Sequence, residues 1–358
     1  MMSSQFSWTA PILACFATLL WIQIFRAAGL KVFKSWLFWF FVLFLILIGA
    51  QIFNSVSMME LRVEDLQSWV PYTLKWDIAG MVWINWYAIA GLFTAMELEE
   101  IRLNRKEIEN FVIISAVMLA VLGVVQFYCK ASSFYWSIPY DIHHPFFSVF
   151  PYINNSATFF MLAGGLALSR GWRYLPVFIL FAFCSWLVSC RFIIGCFGLI
   201  LLYKMMKEKN VWFIGILAVV VFFFKADEII AGRWHEYVIN YEIILHRPFF
   251  GAGISGGSYV LENYIASVPV YITQLLSGQP NTHCDILVFT VEYGLVGLII
   301  LACIVFRVVV RKTTGVTCAV LAAILAIAHS FIDMPMRNAV VVAVLGMIIM
   351  FRRSTWEN

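Results

Sequence analysis

The chain has 358 residues, of which 63% are hydrophobic and only 12% charged, with a net charge of +4. Soluble domains run at about 45–50% apolar and about 25% charged, so this composition excludes a water-solvated globule and calls for lipid. So small a net charge carries no case for nucleic-acid binding; the placement of the charges says more.

A helix crossing the hydrocarbon core needs about 20 predominantly apolar residues. Read in chain order, such runs fall at 8–25, 36–53, 78–96, 110–129, 154–169, 174–190, 192–206, 211–225, 284–306, 314–332 and 338–351. The expected fold is an all-α polytopic membrane protein with about eleven transmembrane helices, 1–358 forming a single transmembrane domain. The links between the runs alternate in charge. One set carries Arg26, Lys31 and Lys34, then Arg102, Arg105 and Lys106, then Arg170 and Arg173, then Lys204, Lys207 and Lys209, then Arg307, Arg311 and Lys312, then Arg352 and Arg353. That set holds sixteen of the 24 basic residues. The positive-inside rule places it in the cytoplasm, with the C-terminus inside and the N-terminus outside. No basic n-region precedes the first apolar run, so that run reads as a retained span rather than a cleaved signal.

Three outer loops are long: 54–77, 130–153 and 226–283. The longest opens as a surface helix. Trp234, Tyr237, Tyr241 and Ile244 recur at helical spacing, while Arg233, Glu236 and Asn240 share another face. Pro248 ends that helix, and Gly251, Gly253, Gly256 and Gly257 follow. The stretch Gly251–Gly256 fits GxGxxG. It follows a helix and a proline rather than a strand, so it reads as a loop whose N–H groups approach an anion, not as a dinucleotide site.

Ionisable residues near the spans are the informative ones, because each costs about 2.5–3.5 kcal/mol at the bilayer centre. Arg191, in SWLVSCRFIIG, stands alone between two apolar runs on the outer side. It reads either as a turn residue snorkelling to headgroups or as an anion site, since guanidinium binds phosphate bidentately. Arg233 and Arg247 bracket the surface helix, also against the topological bias, and attach either to lipid headgroups or to a negative ligand such as a lipid-linked diphosphate. His283 opens the ninth run, as a helix-start residue or as a general base. Asp285 and Glu292, seven residues apart, share one face of that run. Asp333 and Arg337 read as a pair near the outer end of the last two runs. Asp141, His143 and His144 form a weak metal pattern, and no metal site is assigned. Most of the eight cysteines fall inside spans and read as small packing residues. Cys129, Cys190 and Cys284 lie near the outer face, where a disulfide is an alternative.

Two segments resemble the O-antigen ligase and polysaccharide polymerase superfamily. One is GRWHEYVINYEIILHRPFFGAGISGG, similar to the family's loop helix opened by Arg and closed by a His-Pro-like turn and glycines; here Arg247 separates His246 from Pro248. The other is His283, Cys284, nine residues, then Gly294-Leu295-Val296-Gly297, with Cys284 where the family has Asn, Ser or Gln. SCRFIIG is a weaker match to an outer arginine at the start of a span. The family usually has one span more than counted here.

The resemblance implies a metal-independent, inverting glycosyltransferase without a cofactor, at the outer face of the bacterial inner membrane. It would move a glycan from undecaprenyl diphosphate to a sugar hydroxyl of lipid A-core, as a ligase, or to another lipid-linked glycan, as a polymerase. On matching positions, His283 would be catalytic, Arg191 and Arg233 would bind the diphosphate, and Arg247, Glu242 and Asp285 would be secondary. The long loop is expected to bring Arg233 towards Arg191 and His283. A flippase for lipid-linked sugars is the competing class; it would place charges at the midplane and show inverted repeats, whereas here the outer-mouth charges dominate and no repeat is visible. A peptidoglycan-type polymerase would centre on an outer carboxylate, for which Asp227 and Glu228 lack supporting context.

Overall fold

The structure is a computed structural model, and it describes residues 9–54, 71, 73, 76–98, 104–131, 133–134, 138–139, 147–150, 152–206, 237–238, 240–241, 243–245, 247–254, 284–309, 317–331, 333 and 335–351. Apart from one two-residue antiparallel strand pair, Ser133–Phe134 with Ile138–Pro139, its regular elements are helices. In chain order these are α1 (Thr9–Ala28), α2 (Trp36–Phe53), α3 (Trp76–Glu97), α4 (Arg105–Tyr128), α5 (Ile153–Ser169), α6 (Leu175–Leu187), α7 (Arg191–Met205), α8 (Asp285–Val309), α9 (Cys318–His329) and α10 (Ala339–Phe351). Ten of the apolar runs read from the sequence coincide with these helices; the run 211–225 lies outside the described residues.

Five stretches are long and apolar enough to cross a bilayer: Pro11–Lys34, Trp36–Phe53, Ile78–Glu97, Arg105–Tyr128 and Asp285–Val308. Their outward faces are apolar too. Phe16 is 67% exposed, Phe111 72% and Ile299 62%. Leaving such a side chain in water forgoes about 1.5–3 kcal/mol each, so these faces are solvated by lipid. The chain is a helical membrane protein. The 12 residues of α9 and 13 of α10 reach only about 18–20 Å, short of a core about 30 Å thick.

The chain divides into two compact units. The first is Met1–Ile101 with Glu228–Val310. Here α3 packs on both α1 and α2, and α8 packs on α2. Gly91 admits α1, since a Cβ there would stand 3.0 Å from Leu20 Cδ2. Phe44, Leu47, Ile48, Ala79, Ile254 and Tyr293 form the unit's aromatic-rich core. At one end, buried Glu97 joins three helices. It accepts from Ser35 Oγ at 2.6 Å and Leu37 N at 3.0 Å, at the start of α2, and from Arg307 Nε at 2.9 Å. Ser35 Oγ in turn caps α2 by accepting from Phe38 N. A carboxylate at a helix N-terminus and an arginine near a helix C-terminus both complement the helix dipole.

The second unit is Arg102–Asp227 with Arg311–Asn358. Its central helix is α5, buried at every residue from Asn155 to Leu168 and packed against α4, α6, α7, α9 and α10. Small residues permit this. A Cβ on Gly165 would stand 2.5 Å from Ala322 Cβ and 2.8 Å from Cys318 O, so α5 and α9 meet backbone to backbone. Buried Glu109 pairs with Arg105 at 2.6 Å and Arg170 at 3.6 Å.

Candidate functional site

Arg191 is the first residue of α7, and the chain turns sharply to present it. Past the end of α6, Ser189 takes a left-handed φ of +58°. Ser189 N donates to Trp186 O at 2.9 Å and Cys190 N to Ser185 O at 3.3 Å. These are the two bonds of a Schellman motif, made here without the usual glycine. Arg191 emerges exposed. A cation at a helix N-terminus opposes the dipole, so the position gains nothing from the helix unless an anion joins it. An incoming phosphate would meet the guanidinium at the positive end of the helix dipole. Cys190 beside it is buried. Its thiol accepts a backbone hydrogen bond from Ile193 N.

In the other unit, the residues between 237 and 245 that the structure describes are helical, as their spacing predicts, and the helix stops before Pro248. The buried face carries Asn240, Ile243 and Arg247, whereas Val238, Tyr241 and Leu245 are exposed. Two polar residues, Asn240 and Arg247, thus face protein beside Ile243, while the exposed side chains are largely apolar. Asp285 and Glu292 are both buried on α8, and Asp285, in its first turn, suits the helix dipole.

Between Arg247 and α8 lies the most informative geometry. At Gly294 the helix opens, with φ +65° and ψ −168°. Opening there removes the bonds that Leu295 N and Val296 N would make to Val291 O and Glu292 O, leaving four groups to satisfy. Leu295 N donates to Pro248 O at 2.7 Å and Val296 N to Phe249 O at 3.1 Å. Ala252 N donates to Val291 O at 2.6 Å, and Gln51 Nε2, from α2, donates to Glu292 O at 2.9 Å. Gln51 Nε2 also reaches Phe250 O at 3.4 Å, and Gly251 N donates to Arg247 O at 3.2 Å. The turn 248–252 is therefore sewn into the break. Its N–H groups at 251 and 252 are spent on carbonyls rather than left for an anion. Glycine is obligatory on both sides: a Cβ on Gly294 would stand 2.3 Å from Phe249 O, and one on Gly251, at φ +71°, 2.4 Å from Val291 O.

Thus Arg191 is described in one unit and Arg247, Asp285 and Glu292 in the other. His283, Arg233 and Glu242 lie outside the described residues, as do Asp141, His143 and His144. None of the eight cysteines is in a disulfide. Sequence reading missed two things. Gln51 is one: its signal is a carboxamide in the middle of an apolar run. The other is the company Asp333 keeps in the second unit: read from the sequence as a partner of Arg337, whose side chain lies outside the described residues, it meets His329, Tyr152 and Asn154. Its signal is a His and an Asp four residues apart at a span's end.

Comparison of the chain with protein-family models, curated proteins and solved structures finds no match.

Proposed function

We propose that the protein is a membrane glycosyltransferase of the O-antigen ligase type, transferring a glycan from undecaprenyl diphosphate to a sugar hydroxyl of lipid A-core. The reading rests on the resemblance of two segments, and one observation supports it. The RPFFGAG turn from Arg247 and the Gly294-x-x-Gly297 sequence, which belong to the two segments that carry the resemblance, interlock at one break in α8. That interlock gives both glycine patterns a shared physical purpose.

In this reading the acceptor oxygen attacks the anomeric carbon from the face opposite the diphosphate, inverting it. The glycosyl C–O bond breaks and undecaprenyl diphosphate leaves with the electron pair. His283 takes the hydroxyl proton. Arg191 and Arg233 hold the leaving group's charge, which removes the need for an acid. Arg247, Glu242 and Asp285 support the site. The topology that goes with it is eleven spans in the bacterial inner membrane, the N-terminus periplasmic, the C-terminus cytoplasmic and the 226–283 loop periplasmic.

His283→Ala and Arg191→Ala are each expected to abolish glycan transfer while expression and insertion persist. The decisive measurement is complementation of two strains, one lacking a ligase and one a polymerase, read by lipopolysaccharide banding. Long-chain glycan restored only in the first establishes a ligase; restored only in the second, a polymerase. Normal transfer by His283→Ala removes the catalytic assignment. Rescue of neither strain, with accumulation of lipid-linked glycan on the inner leaflet of a deletion strain, would favour the flippase.

A further inference from the structure

His329 closes α9, and Asp333 follows four residues on; both are almost wholly buried, at 2% and 3% exposure. Asp333 accepts from Tyr152 OH at 3.0 Å and from Asn154 Nδ2, which ties it to the start of α5. Thr158 Oγ1 donates its single proton to Asn154 O at 2.9 Å. It also shares a hydrogen bond of 2.9 Å with His329 Nδ1. The other ring nitrogen, Nε2, lies 3.7 Å from Asp333 Oδ2.

The ring's flat face is also used. Phe192 stacks on it with centroids 5.1 Å apart and planes 11° from parallel. Phe192 is the neighbour of Arg191 in the first turn of α7. One imidazole thus holds α5 by its edge and α7 by its face. Packing alone would not need ionisable groups, since a buried ion pair is often replaceable by apolar residues at no loss of stability. What such a network supplies is one fixed geometry.

We infer that His329 and Asp333 are positioning residues that set the first turn of α7, and so the place from which Arg191 reaches a diphosphate. The claim rests on the transferase reading for the identity of that ligand, though not for the geometry. The test uses the full-length protein in vesicles of phosphatidylethanolamine and phosphatidylglycerol, with undecaprenyl diphosphate as the probe. Asp333→Asn and His329→Gln should weaken probe binding about tenfold. They should also speed amide exchange across residues 190–197. Adding Asp333→Asn to Arg191→Ala should cost no further binding. His329→Gln, which keeps a hydrogen-bonding group for Thr158, should bind better than His329→Leu.

Additive losses in the double variant overturn the inference, as does unchanged binding in both single variants. Where Asp333→Asn does not insert, His329→Gln carries the same comparison. If the wild-type protein binds no undecaprenyl diphosphate, the transferase reading fails. Exchange then decides the positioning claim: unchanged rates at 190–197 overturn it and faster rates uphold it.

Discussion

Gly294 adopts a backbone region that is close to glycine's alone, where a side chain costs about 1–3 kcal/mol before any overlap. A methyl group would also collide with Phe249 O at 2.3 Å. Gly294→Ala should therefore cut the yield of folded protein in detergent, measured by size-exclusion chromatography, far more than Gly195→Ala, where a Cβ meets nothing within 4 Å. Gln51→Leu keeps the volume and removes the donor. It removes the hydrogen bond that Glu292 O accepts and should cost about 1–3 kcal/mol, read as a lower melting temperature. Neither role was legible in the chain. Gln51 finds its partners 199 and 241 residues away, so its neighbours say nothing of its purpose. The glycines were visible as a spacing, but the reason for that spacing is a turn arriving from another segment.

Elements were far more legible, because run length and hydropathy report directly on what lipid will solvate. Each of α1 to α10 matches an apolar run. The ends were harder. α9 and α10 are shorter than their runs, since apolarity does not mark where backbone bonding stops. The α6–α7 corner is the element-level feature nearest to function. A left-handed residue other than glycine costs roughly 1–2 kcal/mol there. Ser189→Gly should raise the melting temperature and preserve probe binding. Ser189→Val should lower both, since a β-branched side chain tolerates φ +58° poorly. Equal stability of the two variants would argue against this corner geometry.

For the whole molecule, the alternation of basic links implies an orientation that two cysteines can report. Cys129 is exposed just beyond α4, at the end assigned to the outside. A membrane-impermeant maleimide added to intact spheroplasts at pH 8 should label it. Labelling only after permeabilisation would reverse the topology. Cys190 serves as the internal contrast. It is buried, so the reagent does not reach its sulfur. Its labelling should stay negligible at pH 8 on either side of the membrane. The candidate site was only partly legible at this scale. The arginine at the start of α7 was singled out by its isolation, and Asp333 was noticed only as a partner for Arg337, because nothing about His329 taken alone marks it as more than an ordinary helix end.

The break in α8 also bears on biogenesis. Gln51 and residues 248–252 precede α8 in the chain, so all of its substitute partners leave the ribosome before it does. When α8 enters the bilayer, donors and acceptors for its open backbone are already made. A strand of lipid-embedded peptide that would be insoluble on its own thus has a receiving surface waiting. Reversing that order, by expressing α8 ahead of the turn in a permuted gene, would ask the helix to cross hydrocarbon with four backbone groups bare.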